Sequence, residues 1–264
     1  MSLQRRTFLS LLAATASQPL LPATASAAVP KLGLIFPPAG RTVPDEGLAM
    51  YGSRIAYETE ALGLETMTPE GYEAVIDRIP GCARRLVERG AEAVVLMGTS
   101  LSFFKGEAYN QRLTQTLREA AGGRPVTTMS TAVIEGLKKV GAKRIAAPTA
   151  YNDEVNSRLR SFLTEHGFEV VAVKGLGVEA VDDINKVTQP DLLEFCVKVA
   201  KSAAKADAVL VSCGGLRTLE ILAPLEQRTN LPVVTSTPHA LFAGAKLVGV
   251  DARVPGFGRL LSGG

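Results

Sequence analysis

Asp207-Ala208-Val209-Leu210-Val211-Ser212-Cys213-Gly214-Gly215-Leu216 decides how the chain folds. The apolar run Ala208–Val211 has no polar alternation, which suits a strand covered on both faces. Cys213 then falls at the carboxyl end of that strand, where open parallel sheets bind their ligands. Gly214 and Gly215 let the backbone approach a ligand closely and turn its N–H groups toward it. A helix over Leu216–Ala223 would aim its positive end at the same point. The thiol has two readings. It is a proton donor or nucleophile beside anion-binding amides, or a structural cysteine packed as a small hydrophobe. The stretch by itself leaves both open.

A second stretch repeats the first. Ala93-Val94-Val95-Leu96-Met97-Gly98-Thr99-Ser100-Leu101 lines up with Ala208–Leu216 and sets Gly98 opposite Cys213. Pro125–Ser130 lines up in the same way with Pro232–Thr237, and Lys31–Ile35 with Arg144–Pro148. Three pairs in one order, offset by about 107 to 115 residues, predict two related halves.

Around these pairs strands and helices alternate. The first strand is Leu32–Phe36, ended by Pro37-Pro38. Residues 39–68 read as irregular, a flap over a site or a surface connection. Thr68 caps a helix with Pro69 at its first position, running to Arg89 with a break at Pro80. Next come strand Ala93–Met97, helix Glu107–Ala121, strand Val126–Met129 and helix Ala132–Val140. The second half gives strand Ile145–Ala147, helix Asp153–Glu165, strand Glu169–Val173 and helix Asp191–Ala204. It closes with strand Ala208–Val211, helix Leu216–Ala223, strand Val233–Thr235 and helix His239–Lys246. The alternation predicts an α/β fold: two similar Rossmann-like lobes with parallel sheets, related by pseudo-two-fold symmetry. The lobes are expected at residues 28–137 and 138–264, with the site in the cleft between them. The C-terminal helix and tail are expected to pack back on the first lobe.

Residues 1–27 read as a removable leader. Gln4-Arg5-Arg6-Thr7-Phe8-Leu9 is a twin-arginine pattern, an apolar run follows, and Ala25-Ser26-Ala27 is a small-residue cleavage site. The expected location is therefore the periplasm. Without Arg5 and Arg6 the formal charge falls from +3 to +1, and nothing points to nucleic acid or to a membrane after the leader is removed. Three cysteines, Cys82, Cys196 and Cys213, are too few for a disulfide framework. His166 and His239 stand apart, and no Cys/His cluster has metal-ligand spacing, so no metal is expected.

The runs Gly98-Thr99-Ser100-Leu101-Ser102-Phe103-Phe104 and Ser212-Cys213-Gly214-Gly215-Leu216 resemble those of arylmalonate decarboxylase. That family belongs to the aspartate/glutamate racemase superfamily, together with maleate isomerase. The resemblance extends through Pro37-Pro38, Thr68–Tyr72, Thr127–Ala132, Thr149–Tyr151 and the tail Pro255–Leu260. Racemases of the superfamily carry a cysteine on each side of the cleft, whereas Gly98 on one side is the decarboxylase pattern.

The resemblance implies cofactor-independent decarboxylation of α-aryl or related α-substituted malonates, small dicarboxylates. It implies that Thr99, Ser100 and Tyr151 hold one substrate carboxylate through their hydroxyls. The backbone N–H groups of Cys213 and Gly214 would complete a dioxyanion hole, and Cys213 would be the proton donor. Leu64, Met67, Tyr72, Val181 and Ile184 match an apolar pocket for the leaving carboxylate, with Pro37, Pro38 and Gly98 on the same cavity. Read without the resemblance, Thr99 and Ser100 also suit helix capping, Tyr151 a buried ring and Tyr72 packing. Two other functions stay open: a racemase or cis–trans isomerase of the superfamily, and an exported carboxylate-binding protein that does no chemistry.

Overall fold

The computed structural model describes residues 28–40 and 42–263. The leader reading of residues 1–27 lies outside them. The first half contains β1 (Lys31–Pro38), α1 (Asp45–Tyr51), β2 (Ala56–Leu64), α2 (Pro69–Glu73), α3 (Ile79–Glu88) and β3 (Ala93–Leu96). It continues with α4 (Thr99–Phe103), α5 (Glu107–Ala120), β4 (Val126–Thr128) and α6 (Met129–Lys139). The second half contains β5 (Arg144–Thr149), α7 (Asp153–Glu165), β6 (Glu169–Gly175), α8 (Gln189–Ser202) and β7 (Ala208–Val211). It ends with α9 (Leu219–Thr229), β8 (Val233–Thr235) and α10 (Ser236–Leu247).

Each half forms one four-stranded sheet, in the orders β2-β1-β3-β4 and β6-β5-β7-β8, with every ladder parallel. Relabelled from its own first strand, the second sheet has the order of the first, so the sequence repeat is a repeat of topology. β3 and β7, which both run as unbroken apolar stretches, are buried along their whole length in equivalent positions.

The stretch 39–68 is not irregular. It holds α1, a short 3-10 turn at Gly52–Arg54 and the edge strand β2, which pairs with β1 from Lys31↔Ala56 to Phe36↔Ala61. The alternating carboxylates Glu58 and Glu60 hide this strand from a hydrophobicity reading. They point outward, where Lys31, Arg85 and Arg89 pair with them. The Thr68 cap is present, accepting the Gly71 N–H at 3.2 Å. The break at Pro80 falls where α3 starts, with the proline in its first turn.

The lobes exchange their last helices. α10, which follows the last strand of the second sheet, packs against α6 and against β3 and β4 of the first sheet. α6 in turn packs on β8 of the second sheet. α10 lies so close to the first sheet that a Cβ added at Gly244 would stand 2.7 Å from Leu32 Cδ2 and 3.1 Å from Val95 Cγ2. Gly244→Ala is therefore expected to lower stability by about 1–3 kcal/mol, read as a lower urea midpoint at unchanged m-value. The tail also returns to the first half, where Tyr51 donates to the Ala252 carbonyl at 2.9 Å. On the opposite side the loops after β2 and β6 meet in an antiparallel bridge, Thr66↔Ala180. There the Met67 N–H reaches the Glu179 carbonyl at 2.8 Å, and the Val181 N–H reaches that of Glu65 at 3.1 Å.

Candidate active site

A cavity of about 250 Å3 lies between the lobes, beyond the carboxyl ends of β1, β2, β3 and β7. Parallel strands place ligands at that end because the loops and helix starts that follow them turn their N–H groups there. Three groups of residues make its walls. Gly98, Thr99 and Ser100 follow β3, and Cys213 and Gly214 follow β7. Leu64, Met67, Val181 and Ile184 form an apolar wall that the Thr66↔Ala180 bridge holds in place. Pro37 and Pro38, at the end of β1, form a third side.

The two strand ends are in close contact. A Cβ at Gly214 would stand 3.2 Å from the Met97 carbonyl and 3.1 Å from Met129 Sδ, so only glycine fits without displacement. The Gly215 N–H donates to Cys213 Sγ at 3.4 Å. Such a donor favours negative charge on sulfur. Cys82, Cys196 and Cys213 are all buried thiols rather than disulfide halves. Burial pushes Cys196 up to about 12 and also raises Cys82, so neither acts as a ready acid.

The helix after Cys213 starts later than its sequence suggests. It is α9, opening at Leu219 rather than Leu216 and running through Pro224 to Thr229. Residues 214–218 form a turn, in which Leu216 is drawn into the core at 2 % exposure. The start of α9 is occupied by the Glu46 carboxylate, which accepts from the N–H groups of Thr218 and Leu219 at 2.8 and 2.9 Å. The positive end of the helix therefore serves a protein carboxylate.

Tyr72 and Tyr151 sit one layer behind the cavity surface and are almost wholly buried. The Tyr151 hydroxyl lies 3.2 Å from Ser212 Oγ and faces Cys213 and Thr99. Burial first, and then the nearby Cys213, hold its pKa well above the ordinary phenol value, so it remains a hydrogen-bond donor. The Tyr72 hydroxyl is also raised, mainly by burial, and has no bonded partner among the described residues.

Ser236, the first residue of α10, is a member of the site that local sequence reasoning misses. Its Oγ lies 2.8 Å from Thr99 Oγ1 and accepts the Cys213 N–H at 3.2 Å. One hydroxyl thus fixes both a first-lobe side chain and the backbone of the thiol. The Cys213 N–H is engaged there instead of facing the cavity. The only sequence signal for Ser236 is its place in the repeat, where it falls opposite Met129.

Two parallel α/β lobes of one strand order, with a cavity between matched strand ends, define a two-lobed class that includes maleate isomerase. A crystal structure of a Pseudomonas putida maleate isomerase matches with a TM-score of 0.81 at 20% identity, over 89% of this chain and 98% of that one, a likeness of fold. The chain itself belongs to the arylmalonate decarboxylase family, whose sequence profile matches residues 32–261. The arylmalonate decarboxylase of Bordetella bronchiseptica is 43% identical over 235 residues, which is 89% of this chain and 97% of the relative. A liganded double mutant of arylmalonate decarboxylase matches with a TM-score of 0.85 at 42% identity, over 88% of this chain and 99% of that one.

Proposed function

We propose that the chain is a cofactor-independent carboxy-lyase that removes one carboxyl group, as carbon dioxide, from α-aryl or related α-substituted malonates. The observation that carries this reading is the pairing of Cys213 with Gly98 at matched strand ends on one cavity. One face of a bound substrate meets an acid, and the other meets none. In the reaction the bond from the α-carbon to the departing carboxylate breaks. Its electron pair passes to the α-carbon and into the remaining carboxylate as an enediolate. Cys213 gives its S–H proton to the α-carbon, leaving a thiolate that the Gly215 N–H steadies until solvent returns the proton.

The hydroxyls of Thr99, Ser100 and Tyr151 and the N–H of Gly214 hold the enediolate. Groups fixed in advance stabilise developing charge without reorganising, and each such donor is typically worth about 2.7–4 kcal/mol. The wall of Leu64, Met67, Val181 and Ile184 offers the departing carboxylate no hydrogen bonds, which favours its loss as an uncharged gas. Tyr151→Phe is accordingly expected to lower kcat by about 10²–10³ with a smaller change in KM, measured as carbon dioxide release from phenylmalonate.

The overall test is carbon dioxide release from phenylmalonate and α-methyl-α-phenylmalonate by the purified protein, with chiral analysis of the second product. A single enantiomer is expected, and no release from either substrate rejects the reading. The same proposal places the enzyme in the periplasm through the leader at Arg5 and Arg6. Cell fractionation with the arginine pair replaced by lysines tests that placement.

A further inference from the structure

Glu46 is a buried carboxylate that the reaction above does not use. It is the second residue of α1, lines the cavity and is 4 % exposed. A single oxygen, Oε1, accepts from the Thr218 N–H at 2.8 Å, the Leu219 N–H at 2.9 Å and Thr218 Oγ1 at 3.4 Å. Thr218 and Leu219 lie at the end of the turn that leaves Cys213. α1 lies at the end of the segment that leaves Pro37 and Pro38, and Val43 and Pro44 of that segment also line the cavity. The contact joins residues 172 positions apart, one on each wall.

We propose that Glu46 is a positioning residue: its carboxyl ties the Pro37–Pro44 wall to the Cys213–Thr218 turn and so sets the width of the cavity around the substrate. The proposal takes this cavity as the site of the decarboxylation proposed above. Its physical basis is the energy of the contact. Thr218 is itself 1 % exposed, so breaking the tie leaves buried donors without partners.

The surroundings of the carboxyl give the tie a pH dependence. Burial is the main influence and raises its pKa to about 7, Glu220 on α9 adds to this, and the two N–H donors oppose it. The other charged groups near by are Asp45 and Arg217, 4.0 Å apart at exposed positions. From β2, Tyr57 bonds the Gly47 carbonyl at 3.2 Å, and α10 brings only Leu241 against Gly47. When buried, the carboxyl holds its proton up to about pH 7, whereas in solvent it would give it up near 4.5. A raised carboxyl pKa favours the buried state at low pH, so the tie is firmest below that range and weakens as pH rises through 7.

Amide hydrogen exchange on the whole protein, followed by mass spectrometry and corrected for intrinsic rates, reads the tie directly. Two segments are followed, residues 42–51 and 216–223, with residues 189–202 of α8 as the internal reference. In the wild type, protection of both segments should fall as pH rises from 6 to 8. E46Q keeps the accepting oxygen and cannot ionise, so its protection should stay flat across that range. E46A should lose at least about tenfold protection in both segments at every pH, with α8 unchanged. On phenylmalonate, E46A should raise KM about tenfold or more with a smaller fall in kcat, and E46Q should restore KM. Wild-type protection in E46A, or a wild-type pH slope in E46Q, overturns the proposal. If E46A does not fold, the E46Q slope decides alone. A wild type that releases no carbon dioxide removes the decarboxylase reading, while the exchange experiment still decides the tie.

Discussion

Replacing Cys213 with alanine is expected to reduce product formation by about 10²–10⁴ while leaving the fold intact. The thiol is 4 % exposed at the end of β7, and losing its sulfur opens only a small space beside the cavity. What disappears is the proton that the α-carbon must receive. Without it the enediolate can recapture carbon dioxide or wait for water in a cleft that admits little. Cys213→Ser should fall almost as far, because a hydroxyl is a much weaker acid in the same place. Cys196→Ala provides the contrast: its thiol is buried in α8 away from the cavity, so activity should hold while stability drops. The measurement is carbon dioxide release from phenylmalonate, with urea unfolding alongside. Equal release by wild type and Cys213→Ala would move the proton donor elsewhere. Unchanged dicarboxylate affinity with no turnover in either protein would favour a binding protein.

Gly98→Cys should create a second activity. A thiol at the end of β3 would stand across the cavity from Cys213, so an α-arylpropionate could lose its α-proton to one sulfur and regain one from the other. The expected readout is racemisation of either enantiomer, with deuterium entering the α-carbon in deuterium oxide. The substitution is not free of strain. A Cβ at Gly98 would meet Pro37 Cγ at 2.6 Å and Leu101 Cβ at 3.3 Å. Pro37 must withdraw, and it forms one side of the cavity. Decarboxylation should therefore slow by up to about 10²-fold, the cost of misplacing reacting groups by around an ångström. No deuterium incorporation from either enantiomer would count against the opposed placement of the two strand ends.

Much of the architecture was legible because parallel strands buried on both faces announce themselves as apolar runs. Ala208–Val211, Val233–Thr235 and Asp153–Glu165 stand in the structure as the sequence places them. The parts that were not legible depend on distant partners. β2 reads as polar because its Glu58 and Glu60 find their arginines on α3. Pro224 reads as a helix stop, yet it lies in the second turn of α9, where it removes one hydrogen bond and the packed helix tolerates the loss. Within the site, Cys213, Gly98, Thr99 and Ser100 were visible because strand ends followed by glycine and hydroxyl residues form a local pattern. Ser236 and Glu46 were not, because each acts on residues 23 or more positions away. No short-range spacing records such a contact.

The exchange of α6 and α10 also bears on the order in which the molecule can be made. Leu32 and Val95, laid down early, have as their cover a helix that ends at Leu247. On the ribosome the first sheet must therefore wait, one face bare, until nearly the whole chain has been synthesised. Lobe-by-lobe folding during translation is closed to such a chain, and its rate should be set by contacts of very long sequence separation. The bare face of that early sheet is where a chaperone, or another unfinished copy, would find its first hold.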